Sequence, residues 1–198
     1  MSSAPNYWFM LVADLCGAAL LLGLGLARAQ GGPFRSLGLA IGGALSWGAV
    51  EYALHRWVLH GPPSAVQRAH ARHHRDATAL ISAPAFLSSA IVVTAWAGGT
   101  VLLDAPTAAL VVGGLYAGYN YYAVLHHVQH HYPTLVARVG WLSRLDRAHR
   151  VHHRRYVVNY GVTTEWLDRL LRSDERSRRS PTSAPPVSRE APRSAASR

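Results

Sequence analysis

Every one of the chain's twelve histidines falls into one of four short groups: His55 with His60; His70, His73 and His74; His126, His127, His130 and His131; and His149, His152 and His153. None stands alone, whereas a scatter of structural imidazoles would leave some that did. Imidazoles crowded together repel one another on protonation, and a bound cation is what holds such a set neutral. The second and fourth groups share the spacing i, i+3, i+4. On a helix that spacing sends three rings off one face within a turn of each other, so that they share a metal. The third group offers two i, i+4 pairs, His126 with His130 and His127 with His131. Two metals need about eight to ten ligands, and the count is met.

Carboxylates are scarce nearby. Glu51 stands one turn before His55, Asp76 just after His74 and Asp146 one turn before His149. No Glu-x-x-His pair is present, which disfavours a carboxylate-bridged di-iron bundle. These acids are expected instead to orient the ligand rings from behind. The single cysteine, Cys16, excludes an intrachain disulfide and a zinc ribbon. A ligand set made wholly of imidazole suits oxygen activation at iron better than a closed structural zinc site, although imidazole also accepts zinc or copper.

The elements that carry these groups read as membrane helices. The chain has 198 residues, 49% apolar and only 15% charged, an unusual balance for a soluble domain. Tyr7 to Ala27 is apolar apart from Asp14 and reads as a retained span, since it lacks the basic start of a cleaved signal. Leu37 to Leu59 makes a second span, Leu80 to Leu103 a third, broken near Pro84, and Thr107 to His131 a fourth, stopped at Pro133. Asp104-Ala105-Pro106 is the hairpin between the last two, and Gly61-Pro62-Pro63 folds the chain back between the first two histidine groups. Spans two and four leave on the same side, which delivers the histidines to one membrane face.

All twenty basic residues are arginine. They flank the apolar runs and fill the tail, a distribution that fits lipid headgroups and not nucleic acid, and their bias places the histidine face in the cytoplasm. Gly38 with Gly42 and Gly114 with Gly118 are spaced for close helix packing. Tyr119, Tyr121 and Tyr122 stand where a substrate channel would pass, or where interfacial anchors sit. After Pro133 the chain turns basic and polar, with a helix over GWLSRLDRAHRVHHRR and a turn at Asn159-Tyr160-Gly161. A short helix then starts near Thr163 or Thr164, capped by threonine, with Glu165 in its first turn. The fold class is therefore all-α and integral to the membrane, about four transmembrane helices under a cytosolic histidine-rich cap. The chain divides into a first span and connection over 1–35, a histidine-box domain over 36–173 and an Arg/Ser/Pro-rich disordered tail over 174–198.

At this point the chain resembles the fatty acid hydroxylase superfamily, which includes sterol desaturases, sphingolipid fatty-acid hydroxylases and carotenoid hydroxylases. HRWVLH at His55 to His60 is similar to that family's H-x4-H box, and HARHH at His70 to His74 to its H-x2-HH box. HHVQH at His126 to His130 is similar to its H-x3-H box, and HRVHH at His149 to His153 to its final box. NYGVTTEWLD at Asn159 to Asp168 resembles its closing segment, so Asn159 joins the residues expected behind the ligands. Two departures stand in that segment: Leu167 replaces the family's tryptophan before the aspartate, and its closing Phe-Gly-Thr reads Leu171-Arg172-Ser173.

The resemblance implies a membrane di-iron oxygenase that uses dioxygen and electrons from a cytochrome or ferredoxin to hydroxylate or desaturate a fatty acyl chain, sterol or carotenoid. Zinc is expected to replace iron on overexpression. The implied ligands are His55, His60, His70, His73, His74, His149, His152 and His153, with His126 and His130 preferred over His127 and His131 because Tyr122 precedes His126 as an aromatic does in relatives. No catalytic residue beyond the metal centre is singled out. The rival reading is a membrane metal-binding or metal-transport protein. Transport sites sit near the bilayer midplane, whereas these groups lie at the ends of spans. A bis-histidine haem protein is a third reading, separable by its visible spectrum.

Overall fold

In the computed structural model of the chain, residues 4–81 and 87–178 are described. Helix is the only regular structure they form, with no strand among the described residues. The helices are α1 (Ala4–Arg28), α2 (Gly32–Ala53), α3 (Ala65–Arg75), α4 (Leu87–Leu102), α5 (Ala105–His131), α6 (Pro133–Arg138), α7 (Gly140–Arg154) and α8 (Trp166–Leu170), with α2 running on through a widened π-helical turn at Leu54–Leu59. Two of them, α1 and the continuous helix Gly32–Leu59, are long and apolar enough to cross a membrane. α4 is apolar but has 16 residues, and α5 has 27 but ends in polar and histidine-rich sequence. The expected break at Pro84 and most of the expected tail lie outside the described residues.

α5 is the axis of the bundle. Gly114 meets Ala40 and Gly118 meets Ala44 and Trp47, so position rises together along α2 and α5 and the two run parallel. On the opposite side Gly25 meets Leu110, Leu21 meets Gly113 and Gly17 meets Tyr116, the descending register of an antiparallel pair. A Cβ at Gly114 would run into the Ala40 carbonyl. That is the close approach expected of the second glycine pair. The first pair is displaced: a Cβ at Gly38 or Gly42 would meet no other element within 4 Å among the described residues, and it is Gly43 that lies against the Val111 carbonyl. The contact stripe of α2 is Ala40, Gly43, Ala44 and Trp47, one residue round from the expected pair. Leu45 is 74% exposed and Leu102 86% exposed. Outward leucines of that kind are solvated by lipid far better than by water.

The cap is fastened beneath α5. Leu125 and Val128 of α5 pack with Val136 of α6, Val139 at the junction, and Leu142 and Leu145 of α7. Along α7, Leu142, Leu145, His149 and His152 are all buried, a spacing that keeps one helical face inward. The packing of two leucines therefore fixes where two histidines point. Pro133, expected as a stop, does follow the end of α5, but it also opens α6 at its first position.

The start of the last helix differs from expectation. α8 begins at Trp166, with Glu165 at its N-cap and no side-chain cap bond. The Thr163 hydroxyl is taken elsewhere, donating to Glu51 Oε2 at 2.5 Å, and Glu165 pairs with Arg169 and with Arg144. At the other end the Ser173 N–H donates to the Asp168 carbonyl at 2.8 Å and the Arg172 N–H to the Arg169 carbonyl, closing the helix through Arg172 at φ 51°. This left-handed position is where the resembled family carries its glycine, and arginine adopts the same conformation here at some backbone cost. Packing continues past Ser173, since the Glu175 N–H donates to Asn159 Oδ1 at 3.0 Å.

Candidate metal centre

In an α-helix His55 and His60 would stand about 140° apart. The widened turn removes that separation: the His60 N–H donates to the His55 carbonyl, five residues back, at 3.1 Å, and the two rings lie 5.1 Å apart. Bulges of this type occur chiefly at functional sites. Gly61 then lies so close to the Trp57 carbonyl that a Cβ would not fit, and Ser64 caps α3 by accepting from the Gln67 N–H at 3.1 Å. α3 is thereby turned back across the end of α2.

Ten histidines gather into two sets of five. His55, His60, His70, His74 and His152 form one, and His73, His126, His130, His149 and His153 the other, with the ligand nitrogens of each set within 4.8 Å of one another. The i, i+3, i+4 triplets do not each serve one set, as their spacing led us to expect. His70 and His74 stay together while His73 crosses to the other set, and in α7 His149 and His153 stay together while His152 crosses. The helix explains this: residues i and i+4 are about 40° apart, whereas i+3 lies about 100° from i+4. A helix running between two sets gives its i, i+4 pair to one and its i+3 residue to the other. The sets touch, with His74 stacked on His153 at 4.3 Å.

Hydrogen bonding does not account for these contacts. His70 Nε2 lies 3.1 Å from His55 Nε2, 3.0 Å from His60 Nε2 and 3.0 Å from His74 Nε2. One imidazole nitrogen has either one proton or one lone pair, so at most one of the three is a hydrogen bond. In the second set His130 Nε2 lies 3.1 Å from His126 Nε2 and 3.0 Å from His149 Nε2, and His73 Nε2 is buried with no hydrogen-bond partner among the described residues. Lone pairs converging on one point are what a cation requires. Nitrogens about 2.1 Å from a common ion and at right angles to each other are about 3.0 Å apart. The donor set fits one metal ion in each group.

The rings are held in the right tautomer. His55 donates its Nδ1–H to the Tyr160 carbonyl at 2.5 Å, and His152 donates its own to the Val158 carbonyl at 2.8 Å, which leaves each Nε2 lone pair facing its set. Burial, with the neighbouring imidazoles adding to it, pushes His73 down to about 3, His74 to about 4 and His153 to about 3. Burial pushes His152 down to about 2 despite its carbonyl partner. The rings are neutral near pH 7, the form that binds a cation.

His127 and His131 fall in neither set. They stack on each other at 4.2 Å, and His127 Nδ1 shares a hydrogen bond of 3.0 Å with the Tyr7 hydroxyl. The carboxylates expected behind the ligands are engaged elsewhere. Glu51 accepts from the Val162 and Thr163 N–H groups and the Thr163 hydroxyl, Asp76 from Thr78 and Asp146 from Arg150. Asn159 donates to the Ala148 carbonyl at 3.1 Å.

The group that sequence reasoning missed is Asp168. It accepts from the Tyr160 N–H at 2.9 Å, the Gly161 N–H at 2.7 Å and the Ser173 hydroxyl at 2.8 Å, while Ser173 also meets the Tyr52 hydroxyl at 2.8 Å. Asp168 and Glu51 thus hold, from two sides, the loop whose carbonyls orient His55 and His152. The signal for Asp168 in the sequence was only its place in the closing segment, whereas Glu51 stood out by its place one turn before His55.

A half-open cavity of about 1010 Å³ lies between α1, α3, α4 and α5, and His70, His73, His126 and His130 form part of its wall. Tyr119 and Tyr122 line it, whereas Tyr121 faces a separate hollow with Trp141 and Trp166.

Residues 40–173 match the fatty acid hydroxylase family. The chain is 26% identical over 178 residues to the dihydroceramide fatty acyl 2-hydroxylase of Arabidopsis thaliana, covering 84% of this chain and 70% of that protein. A solved structure described as full-length Scs7p with only the hydroxylase domain visible superposes with a TM-score of 0.67 at 21% identity, covering 85% of this chain and 66% of that one. That likeness is one of fold.

Proposed function

The chain belongs to the fatty acid hydroxylase family, and from that premise we propose that it is a membrane-bound lipid hydroxylase holding two metal ions, iron in the working enzyme. The observation that carries the metal reading is His70 Nε2, in contact with three other imidazole nitrogens at once. The ligands in this reading are the ten grouped histidines, with His126 and His130 serving from the third box and His127 and His131 left out. Bound iron would supply dioxygen activation and the removal of hydrogen from an alkyl C–H bond. Everything else falls to the chain. α1, α4 and α5 hold the lipid beside His73, His126 and His130 and keep water from the reacting carbon, and the loop at Val158 to Thr163 keeps the ligand rings aimed.

The relative's name describes hydroxylation of a fatty acyl chain, which supports hydroxylation over desaturation here. Electrons would arrive from a cytochrome or ferredoxin at the arginine-rich cap. Dioxygen labelled with heavy oxygen, supplied to membranes containing the protein and a reductant, should place its label in a lipid hydroxyl. Lipid profiles identical with and without the protein would overturn the reading.

We place four spans in the bilayer, α4 and α5 joining the two long apolar helices, with residues 36–173 as the working domain and the cap in the cytoplasm. The parallel run of α2 and α5 supports this, because it brings both histidine-bearing ends to one face. A cysteine at Ser64 should resist an impermeant maleimide on intact cells and react after permeabilisation. Reaction from outside would invert the topology.

A further inference from the structure

Asp14 is the only carboxylate in α1 and is 3% exposed. An ionisable group inside a span is costly, and such groups face a bundle interior or a pathway. The Ser88 hydroxyl of α4 donates to Asp14 Oδ1 at 2.6 Å, the Tyr116 hydroxyl of α5 donates to the same oxygen, and Asn120 Nδ2 donates to the Asp14 carbonyl at 3.1 Å. A carboxylate serving only to fasten three helices would need no opening beside it. Yet Asp14, Ser88 and Tyr119 line the same cavity as the metal-facing histidines, among apolar neighbours such as Met10, Leu11, Leu87 and Ala123. Beside them Asn120 Oδ1 is buried with no partner among the described residues. A plain alkyl chain lying there would cover the half-buried Ser88 and Tyr119 hydroxyls, whose oxygens can still accept, and return no hydrogen bond.

We propose that this inner end of the cavity, built by Asp14, Ser88 and Tyr119, receives a hydroxyl carried on the body of the lipid. Between Tyr119 and His126 α5 rises about 10 Å, so the hydroxyl sits about that far from the carbon that reacts. The substrate is then a lipid that already bears a hydroxyl within its apolar length, and an earlier hydroxylation must supply it. This rests on the lipid-hydroxylase reading and narrows its substrate. A site built to bond a hydroxyl rejects the analogue that lacks it far more strongly than an apolar pocket rejects an extra methylene.

The test uses the full metal-loaded chain in detergent and two probes, a stearoyl amide with a mid-chain hydroxyl and the plain stearoyl amide. Wild type should bind the hydroxylated probe at least about tenfold more tightly. Ser88→Ala should shrink that ratio, and Asp14→Leu should bring it to about unity while binding the plain amide no less well. Equal binding of the two probes by wild type overturns the site. So does equal loss of both in Ser88→Ala, the milder variant, which decides the matter if Asp14→Leu does not fold. Binding preference without product upholds this site and overturns the hydroxylase reading; product without preference does the reverse.

Discussion

His74→Ala or His153→Ala is expected to abolish product formation and to lower bound metal from about two per chain to about one or fewer. Each removes one of five nitrogens from its set. The loss does not stop there, because the two rings stack on each other at 4.3 Å and the vacated space opens both sets to water. His127→Ala is the matched control. It lies one residue from His126 and on the same helix, yet its ring is turned about 100° away and its partners are His131 and Tyr7. It should keep both metals and most of the activity. Elemental analysis beside product formation from a lipid extract reads the two outcomes together. Equal metal loss in His127→Ala and His126→Ala would mean that the third box uses the other pair, and full metal in all of these variants would remove the di-metal reading.

Much of this site was legible because its signal is local. Spacing alone put His70 beside His74, His126 beside His130 and His149 beside His153, since i, i+4 neighbours meet on any helix. What spacing could not supply was the partner across space. Whether His73 joins His74 or crosses to α5 depends on where α3 lies between the sets, and that is fixed by the Gly61-Pro62-Pro63 break and the widened turn before it. The widened turn left no mark beyond the five-residue step from His55 to His60, which an α-helix would have splayed. Gly42 and Gly43 illustrate the same limit, because a small-residue spacing names a face only to within a residue and the packing of α5 chose Gly43. The carboxylates were harder still. Glu51, one turn before His55, reads as a partner of that ring, but its oxygens go to Val162 and Thr163, more than a hundred residues along the chain. It acts on His55 only through the Tyr160 carbonyl.

That indirect route gives the second large effect. Asp168→Asn is expected to cost about 3 kcal/mol, as removing a charged acceptor from buried hydrogen bonds does, and to lower the melting temperature by roughly 6–12 °C on the scale of about 2–4 °C per kcal/mol for a chain of this size. The side chain is 2% exposed, and both of its oxygens accept from backbone N–H groups, Tyr160 on one and Gly161 on the other. An amide keeps one acceptor and turns an NH2 toward the second N–H, so two donors face each other where a charge-assisted bond had been. Once released, the loop no longer presents the Tyr160 carbonyl to His55 Nδ1 or the Val158 carbonyl to His152 Nδ1. Both rings belong to the same set. Metal should therefore fall toward one per chain, with the set built on His126, His130 and His149 the one that stays filled. Ser173→Ala removes one donor from the same carboxylate and the partner of the Tyr52 hydroxyl, and should cost about 2 kcal/mol with both metals kept. If Asp168→Asn keeps two metals and an unchanged melting temperature, the loop is aimed by Glu51 alone. If it loses both metals in step, the loop supports the whole cap and not one set of rings.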